Sequence, residues 1–461
     1  MGGSTRRQFL VRAGAASVGA LAAGCAPSAD GPAGGPPNIV LILSDDQGYG
    51  DLGCYGAPDA RTPVCDRLAA EGVRFTHYYA NGPECTPTRT ALMTGRYQQR
   101  AGGLECAIGT TNVGRYDDAI RLAEAHDLGL PVEQSVLPGA LKDAGYAAAV
   151  YGKWHLGYEP KFMPRRHGWD HFMGILGGHC DYFHYCEITG VKTLYENEKP
   201  VTDDRYMTDL ITEESVKFLR RQNADRPFFL YVAYTAPHSP YQGPDDRKPE
   251  RVPEAEWNKG TREEYVELVE HMDKGIGQIL AALAEGGFAD DTVVIFASDN
   301  GGTRQARNAP FSGHKGTTYE GGIRVPCIVR WPGVIAPGTV CEQACVTFDL
   351  TKSILRIAGA REPARRPLDG IDIIQHVQEQ RPAVPRTLFW RGRRGQRTWR
   401  AVRDGQMKYV SRQDGDVLQE WLFDLAADPA EKNDLLAARP DEATRLKGLL
   451  TRWENDVRAS R

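Results

Sequence analysis

The stretch that decides the fold is residues 38–44, Asn-Ile-Val-Leu-Ile-Leu-Ser, a continuous apolar run that leads directly into Asp45 and Asp46. A strand covered on both faces of a parallel sheet has no solvent-facing side, so its residues are apolar throughout. A second run of this kind, residues 292–298, leads into an Asp-Asn pair at 299–300. Both runs therefore predict buried parallel strands that carry carboxylate and amide groups at their carboxyl ends.

Two further apolar runs are followed by basic side chains. Residues 146–152 lead into Lys153 and His155, and residues 227–234 lead into the segment that contains His238. Lys153 and His155 are two positions apart, so on an extended segment both side chains point to the same face. Helical patterns separate the four runs, and this alternation predicts an α/β sandwich with a large, mostly parallel sheet. The predicted helices span residues 63–72, 135–144, 206–223 and 261–286.

The acidic residues that follow two of these runs predict a metal site. Ligand sites in open α/β sheets lie at the carboxyl ends of the strands, so we expect the four residues to lie close together. These residues are Asp45, Asp46, Asp299 and Asn300. Neighbouring carboxylates repel one another unless a cation lies between them, and hard oxygen ligands suit Ca²⁺ or Mg²⁺. Taken alone, Asp45 and Asp46 are equally typical of a turn or a helix cap.

The composition is typical of a globular protein that is large enough for two domains. The 461 residues carry 56 basic and 60 acidic side chains, and the net charge of −4 gives no indication of a nucleic-acid partner. A polar segment at 361–367 precedes several short strand patterns and an amphipathic helix from about Asp441 to Val457. We therefore predict a signal and tether at 1–37, a main α/β domain at 38–370, and a small α+β domain at 371–461.

The amino terminus has the features of a bacterial export signal. Arg6 and Arg7 form a twin-arginine pair, and the small-residue apolar run at 11–24 that follows is too short for a comfortable membrane span. Cys25 closes this run in a pattern that resembles a lipoprotein cleavage site, and residues 26–37 are typical of a tether. We expect export by the twin-arginine route to the periplasm or cell surface, with Cys25 as a candidate lipid anchor. The alternative is a disordered terminus in which two arginines occur by chance.

A cysteine stands just before a predicted helix in residues 85–96, Cys-Thr-Pro-Thr-Arg-Thr-Ala-Leu-Met-Thr-Gly-Arg. Pro87 suits the first position of a helix, and Thr86 suits the cap. The positive end of the helix dipole and Arg89 would both favour a charged or polar derivative of the Cys85 thiol. Taken alone, Cys85 is also typical of a buried structural cysteine.

The complete string resembles the signature of the formylglycine-dependent, type I sulfatases, in which Cys-x-Pro-x-Arg directs oxidation of the cysteine to an aldehyde. Cys85, Pro87 and Arg89 occupy the three required places, and residues 422–433 resemble the C-terminal signature of the same family. The resemblance runs from residue 38 to about residue 435. It implies the α/β fold of the alkaline phosphatase superfamily and a sulfuric ester hydrolase of the arylsulfatase type. It also implies that a formylglycine-generating enzyme converts Cys85 to 3-oxoalanine (formylglycine).

The resemblance further implies a role for each polar residue at the strand ends. The implied ligands of one Ca²⁺ per chain are Asp45, Asp46, Cys85 as formylglycine, Asp299 and Asn300. The implied groups of the sulfate pocket are Arg89, Lys153, His155, His238 and Lys315. A hydrated aldehyde carries two hydroxyl groups on one carbon, and one of them, assisted by Asp299, would attack sulfur. His238 with Lys315 would protonate the leaving oxygen, and His155 would take the proton of the second hydroxyl to release the sulfate.

The leaving group of the substrate would be recognised by loops at 100–134 and 174–190. The second loop contains Gly-Gly-His-Cys-Asp-Tyr-Phe-His-Tyr at 177–185, and aromatic side chains with paired polar groups suit a sugar better than an apolar aryl group. We therefore predict a terminal sulfate ester on a carbohydrate, removed from the chain end, with His179, Asp181 and His184 as substrate contacts. The alternative is that the aromatic residues pack in the core and the histidines are incidental.

Two rival functions remain at this point. A phosphonate or phosphate ester hydrolase of the same superfamily would share the aldehyde and the metal. A lipoprotein that binds sulfated glycans without turnover would be indicated by loss of Cys85 or of a metal ligand, and none is missing. Eight of the ten cysteines remain after Cys25 and Cys85, and their pairing stays open, although Cys180/Cys186 and Cys341/Cys345 are close in sequence.

Overall fold

The computed structural model describes residues 35–109 and 114–459. The twin-arginine pair, Cys25 and most of the tether lie outside these ranges, so export and lipid attachment stay predictions. Within the described ranges, no helix is both long and apolar enough to cross a membrane. The nine cysteines of the same ranges are free thiols.

The strands and helices of the described residues are numbered in chain order. The strands are β1 (Asn38–Ser44), β2 (Val73–Phe75), β3 (Tyr78–Tyr79), β4 (Ala147–Lys153), β5 (His171–Ile175), β6 (Leu194–Glu196), β7 (Lys199–Pro200), β8 (Phe228–Ala233), β9 (Thr292–Ser298), β10 (Cys327–Arg330), β11 (Thr339–Cys341), β12 (Cys345–Val346), β13 (Thr387–Arg394), β14 (Arg397–Asp404), β15 (Met407–Asp414) and β16 (Val417–Asp424). The helices are α1 (Pro63–Glu71), α2 (Cys85–Thr94), α3 (Asp117–Glu124), α4 (Leu137–Asp143), α5 (Met207–Leu219), α6 (Arg262–Glu285), α7 (Glu320–Ile323), α8 (Thr347–Ile357), α9 (Ile373–Gln378) and α10 (Pro440–Ala459).

A ten-stranded sheet forms the centre of the protein, in the order β11-β2-β10-β9-β1-β8-β4-β5-β6-β7. The strands from β9 to β5 are parallel to their neighbours, whereas β10 and β6 run antiparallel on the two sides. The predicted strands at 38–44 and 292–298 are β1 and β9, which pair from Asn38 opposite Thr292 to Ser44 opposite Ser298. The prediction of an α/β sandwich with a mostly parallel sheet is confirmed.

Helices cover both faces of this sheet because successive residues of a strand point to opposite sides. In β1, Ile39 and Leu41 belong to one apolar core, together with residues of α2, α4 and α8. Val40 and Ile42 belong to the other core, together with residues of α1, α5 and α6. All four side chains are buried, which explains why the run has no polar alternation. The four helices predicted from the sequence are α1, α4, α5 and α6.

A four-stranded antiparallel sheet, β13-β14-β15-β16, follows in the chain and packs with α10. Trp390 of β13 and Trp453 of α10 belong to its apolar core, which also contains Tyr79 and Phe348 from the preceding part of the chain. The small α+β part with a terminal helix is therefore present, and its boundary at residue 371 stays a prediction.

A buried ionic cluster joins this small sheet to α7 and β3. Lys408 of β15 is fully buried, and its ammonium group lies 2.8 Å from Glu320 Oε1 and 2.9 Å from Glu431 Oε1. The other carboxylate oxygen of Glu320 accepts hydrogen bonds from the Tyr79 hydroxyl, at 2.6 Å, and from Arg324, at 3.2 Å. Buried charges persist where each is paired and hydrogen bonded, so this cluster fixes the small sheet against the rest of the protein.

Candidate active site

The polar residues predicted at the strand ends meet at one edge of the central sheet, where β9, β1, β8 and β4 lie side by side. They are Asp45 and Asp46 after β1, Lys153 and His155 at the end of β4, His238 after β8, and Asp299 and Asn300 after β9. Parallel strands end at the same side of a sheet, so their following residues converge although they are far apart in sequence.

Cys85 reaches this edge as the first residue of α2. Its sulfur atom lies 3.4 Å from Asp45 Oδ1 and 3.9 Å from Asp46 Oδ1. The Lys315 ammonium group lies 3.6 Å from the same sulfur. The thiol therefore stands between an acidic pair and a cation, and only 1% of the residue is exposed.

The start of α2 differs from the sequence prediction. We expected Thr86 to cap the helix and Pro87 to open it, but the cap is Glu84, in an extended conformation, and the helix already includes Cys85. The Thr86 hydroxyl is used elsewhere, because it donates to the backbone oxygen of His155 at 3.2 Å and accepts from the backbone N–H of Ile108 at 3.3 Å. Tertiary hydrogen bonds of this buried side chain thus take precedence over its capping preference.

The acidic residues are tied to one another across the two strand ends. The backbone N–H of Asp46 donates to Asp299 Oδ1 at 3.2 Å, and the Asn300 amide donates to Asp46 Oδ1 at 2.8 Å. The carbonyl oxygen Oδ1 of Asn300 is buried and has no hydrogen-bond partner among the described residues. A buried acceptor without a donor is unfavourable, and a cation bound beside the carboxylates would satisfy it.

Two basic side chains lie behind this acidic group and do not line the open cleft. Arg89 binds Asp299 Oδ2 through Nε at 3.1 Å and through Nη2 at 2.9 Å, and its Nη1 donates to the backbone oxygen of Lys153 at 2.9 Å and to the Tyr231 hydroxyl at 3.3 Å. The Lys153 ammonium group lies 2.7 Å from Asp45 Oδ2. The sequence assigned both residues to the sulfate pocket, whereas in the structure each is bound to a carboxylate.

Electrostatics keep the Cys85 thiol neutral. Burial raises its pKa well above the ordinary value, and the charges of Asp299 and Asp45 act in the same direction. Burial also raises the pKa of Asp45 to about 7, although the Lys153 ammonium opposes this. Burial acts likewise on Asp46, but the combined attraction of Lys315 and the other neighbouring basic groups outweighs it and lowers the pKa of Asp46 below its usual range. Because the thiolate is the reactive form of cysteine, unmodified Cys85 is a poor nucleophile here.

His155 is placed as a neutral base. Its Nε2 atom lies 2.7 Å from the backbone oxygen of Ile108, and its Nδ1 atom is buried without a hydrogen-bond partner among the described residues. A carbonyl oxygen only accepts, so Nε2 carries the proton and Nδ1 has the free lone pair. Burial lowers the pKa of His155 well below its ordinary value, and the Lys153 charge adds to this effect.

His238 and Lys315 form a second acid–base pair. The Nδ1 atom of His238 lies 2.7 Å from the backbone oxygen of Ser239, so it carries a proton, and Nε2 accepts from the Lys315 ammonium group at 3.1 Å. Burial lowers the pKa of His238 to about 3, although Asp46 opposes this. Lys315, which also lies 2.8 Å from Asp46 Oδ2, is therefore the proton donor of the pair.

The residues present fit a divalent cation. Asp45, Asp46, Cys85 and His238 each offer a ligand atom, and these atoms all lie within 4.8 Å of one another. Asn300 Oδ1, which lacks a donor, adds a further oxygen beside them. Carboxylate and amide oxygens in this density are ligands for a hard cation. His238 enters the group although the sequence suggested it as a general acid and a sulfate-pocket residue rather than as a metal ligand.

The site opens into a cleft of about 720 Å³, which Cys85, His155, His238 and Lys315 line together with His179. The His179 ring lies parallel to that of His238, with ring centres 5.5 Å apart, and its Nε2 atom is buried without a partner among the described residues. His179 is thus the predicted substrate contact that the structure brings to the cleft.

The other two predicted substrate contacts, Asp181 and His184, do not line this cleft. Asp181 accepts hydrogen bonds from the backbone N–H groups of Phe183, His184 and Val252, and His184 Nδ1 lies 3.0 Å from Asp181 Oδ1. Both residues therefore stabilise their own loop, and their role as substrate contacts stays a prediction.

Sequence reasoning missed much of the cleft wall. The additional lining residues include Glu84, Arg115, Tyr158, Glu187, Trp257, Asn258, Thr303 and Arg394. Trp257 and Asn258 come from an irregular segment between β8 and α6, and Arg394 ends β13 in the small sheet. Packing of distant parts of the chain brings these three residues to the cleft, so no local pattern marks them. Arg115 and Glu187 lie in the loops at 100–134 and 174–190 that the sequence assigned to recognition of the leaving group, and Glu84 precedes Cys85.

Two family profiles match the chain. The profile described as sulfatase matches residues 37–360, and the profile described as N-sulphoglucosamine sulphohydrolase, C-terminal, matches residues 313–455. Together they span both sheets and all of the strand-end residues described above.

Characterised relatives are similar over most of the chain. N-acetylgalactosamine-6-sulfatase of Sus scrofa is 37% identical over 376 residues, which cover 77% of this chain and 69% of that protein. The Homo sapiens protein of the same name is 35% identical over 375 residues, covering 77% and 69%. Steryl-sulfatase of Mus musculus is 33% identical over 451 residues, covering 80% and 69%.

Solved structures share the whole architecture. Ps i-CgsB in complex with k-i-k-neocarrahexaose superposes with a TM-score of 0.78 at 30% identity, covering 91% of this chain and 92% of that chain. The PsFucS1 sulfatase from Pseudoalteromonas sp. superposes with a TM-score of 0.72 at 25% identity, covering 92% and 91%.

Proposed function

We propose that this chain, which belongs to the sulfatase family of sulfuric ester hydrolases, cleaves a sulfate ester on a carbohydrate. The proposal includes formylglycine at position 85 and Ca²⁺ in the acidic cluster. The observation that carries it is the position of Cys85, whose sulfur lies 3.4 Å from Asp45 and 3.9 Å from Asp46, within the group that would hold a cation, and 3.6 Å from Lys315. An aldehyde hydrate at this position would have its hydroxyl groups beside the cation and the proton donor.

Asp45, Asp46, Asp299 and Asn300 would hold the cation, and irregular oxygen coordination suits Ca²⁺ better than Mg²⁺. When bound, the cation would stabilise charge on the sulfate, while the hydrated aldehyde would supply an attacking hydroxyl and a second hydroxyl for release of the sulfate.

The remaining steps belong to side chains of this chain. Arg89 orients Asp299 through its paired hydrogen bonds. Lys315, which lies 3.1 Å from His238 Nε2, delivers a proton to the leaving oxygen directly or through that imidazole. His155 accepts the proton of residue 85 at Nδ1, which has a free lone pair. The burial of these groups excludes water and strengthens their electrostatic interactions.

The walls of the cleft support a sugar as the leaving group. His179, Asn258 and Arg115 offer hydrogen bonds, and Tyr158 offers aromatic surface, a combination that suits a sugar ring. Relatives named N-acetylgalactosamine-6-sulfatase and a neighbour bound to a neocarrahexaose support a carbohydrate substrate, and a neighbour at 25% identity that is described with the metabolism of multiple glycosaminoglycans supports a substrate of that type. A steroid sulfate is a competing substrate, suggested by the similarity to steryl-sulfatase, and the kinetic comparison of esters distinguishes it from a sugar.

The test combines mass spectrometry with kinetics on protein made together with a formylglycine-generating enzyme. The tryptic peptide that contains residue 85 should carry the aldehyde. The kcat/KM should be higher for a sulfated N-acetylhexosamine than for an aryl sulfate, a steroid sulfate or an aryl phosphate. Cys85→Ala should abolish turnover, whereas Cys106→Ala, at another buried thiol, should retain it. Turnover by protein with only the thiol at position 85 would refute the mechanism, and a higher kcat/KM for any of the other esters would refute the sugar assignment.

We also propose export by the twin-arginine route, which Arg6 and Arg7 support. Replacing both by lysine should leave the protein in the cytoplasm, while Arg12→Lys should be exported normally. Cys25→Ser should release the exported protein from the membrane fraction. Normal export of the double variant would contradict the route, and unchanged membrane attachment of Cys25→Ser would contradict the lipid anchor.

A further inference from the structure

A second cavity adjoins the active-site cleft on the side of the small sheet. Its volume is about 330 Å³, and it shares Glu84, Lys315 and Arg394 with the cleft. Lys315 lies where the cavity and the cleft meet, and its ammonium group is also 3.6 Å from the sulfur of Cys85. A ligand anchored at residue 85 can therefore extend from the cleft into this cavity without leaving the protein surface.

The wall of this second cavity is basic. It is formed by the turn at 314–317 and by four arginines of the small sheet, with Trp399 among them. Strand pairing brings the four together, because Arg394 pairs with Arg397 across β13 and β14, and Trp399 pairs with Arg412 across β14 and β15. The arginines are Arg393, Arg394, Arg397 and Arg412.

The carboxylates around these arginines do not neutralise them. Two of the arginines share one carboxylate, Asp414, whose Oδ2 atom lies 2.9 Å from Arg397 and 2.6 Å from Arg412. Arg393 is paired with Asp117, at 2.6 Å.

The fourth arginine, Arg394, has a weaker partner. It lies 3.5 Å from Glu84, whose other carboxylate oxygen accepts from the backbone N–H of Ala107 at 2.7 Å. In addition, the Nε atom of Arg412 is buried without a hydrogen-bond partner among the described residues. Four guanidinium groups thus face three carboxylates, and the cavity retains positive charge.

We propose that this cavity is a subsite for a second anionic sugar, one that carries a carboxylate or a sulfate and neighbours the sugar whose ester is cleaved. This inference rests on the proposed function and narrows it, because it makes the preferred substrate a polyanionic oligosaccharide rather than a sulfated monosaccharide. Arginine binds carboxylate and sulfate groups through paired N–H donors, and the partly exposed Trp399 provides apolar surface for the sugar ring.

The experiment compares four substrates on the modified, metal-loaded enzyme. Two are disaccharides with the scissile sulfate on the terminal sugar and either a carboxylate or a second sulfate on the next sugar. The third has a neutral second sugar, and the fourth is an aryl sulfate. We expect kcat/KM to be at least about 10-fold higher for the anionic disaccharides than for the neutral one, as one charge-assisted hydrogen bond would give. The carboxylate and sulfate arms show which anion is preferred.

The ratio that matters is kcat/KM for an anionic disaccharide divided by kcat/KM for the neutral one. Arg397→Gln and Arg412→Gln should each lower this ratio by about 10-fold or more, mainly by raising KM for the anionic disaccharide. Arg445→Gln, at an exposed arginine on α10 that is paired with Glu442, is the control and should leave the ratio unchanged.

If the variants do not fold, the wild-type protein still decides the question, because added salt should weaken binding of the anionic disaccharides more than that of the neutral one. Equal kcat/KM for anionic and neutral disaccharides in the wild type would overturn the subsite while leaving the proposed function intact. Absence of turnover with all four sulfate esters would overturn both.

Discussion

Replacing Lys408 by methionine should destabilise the protein strongly. The side chain is fully buried, and its ammonium group is 2.8 Å from Glu320 and 2.9 Å from Glu431. Methionine fills a similar volume but leaves two buried carboxylates facing each other without their shared cation. Removal of one partner from a buried ion pair costs about 3–5 kcal/mol, and we expect a loss of this size in the free energy of unfolding.

Urea unfolding followed by tryptophan fluorescence measures this loss, because Trp390 and Trp453 lie in the apolar core of the small sheet. Lys447→Met is the matched control: this lysine lies 2.6 Å from Glu420, but 41% of its side chain is exposed. An exposed pair contributes at most about 1 kcal/mol. If Lys408→Met lost no more stability than Lys447→Met, the reasoning that the cluster fixes the small sheet would be wrong.

The remaining predictions concern pH, metal and two histidines. Burial raises the pKa of Glu431 from 4.5 to about 7, so the folded state retains a proton that the unfolded chain releases. Glu431 should therefore contribute a fall of up to about 1.4 kcal/mol per pH unit to the free energy of unfolding between pH 5 and 7, whereas buried histidines with lowered pKa values, such as His155 and His238, contribute a rise. Glu431→Gln should remove the falling contribution in urea titrations, and an unchanged slope would contradict the assignment. Chelation should abolish turnover and lower the Tm, because a bound ion stabilises the folded state by mass action; Ca²⁺ should restore both, and full activity after chelation would refute the metal requirement. His155→Ala should lower kcat by about 100- to 10,000-fold, as loss of a general base does, while the exposed control His126→Ala should not; equal rates in steady-state assays would exclude His155 as the base. His179→Ala should raise KM for a sulfated sugar more than for an aryl sulfate, and equal changes would exclude it as a sugar contact.

The sequence predicted the centre of the fold because the relevant signals are local. Strands β1 and β9 were found with their observed bounds, since burial on both faces makes the whole run apolar. The convergence of Asp46 and Asn300, which are in contact at 2.8 Å, follows from the rule that parallel strands end at one side of a sheet.

The sequence did not predict features that depend on distant packing. The start of α2 was placed wrongly because the Thr86 hydroxyl bonds to His155 and Ile108, which come from other parts of the chain. Arg394 was assigned to a separate small domain, and only the packing of β13 brings it to the cleft. The contacts of Arg89 and Lys153 with carboxylates likewise depend on which atoms face each other, and spacing in the sequence does not give this.

The burial of α2 limits the time at which Cys85 can be oxidised relative to folding. All ten residues of this helix are buried, and Cys85 is only 1% exposed. An enzyme that oxidises Cys85 as proposed has to reach its sulfur atom, which the packed helix does not allow. The oxidation therefore has to finish before the central sheet closes over α2. The speed of folding then sets the time available for maturation, and mutations that accelerate folding would lower the fraction of active molecules without changing any catalytic group.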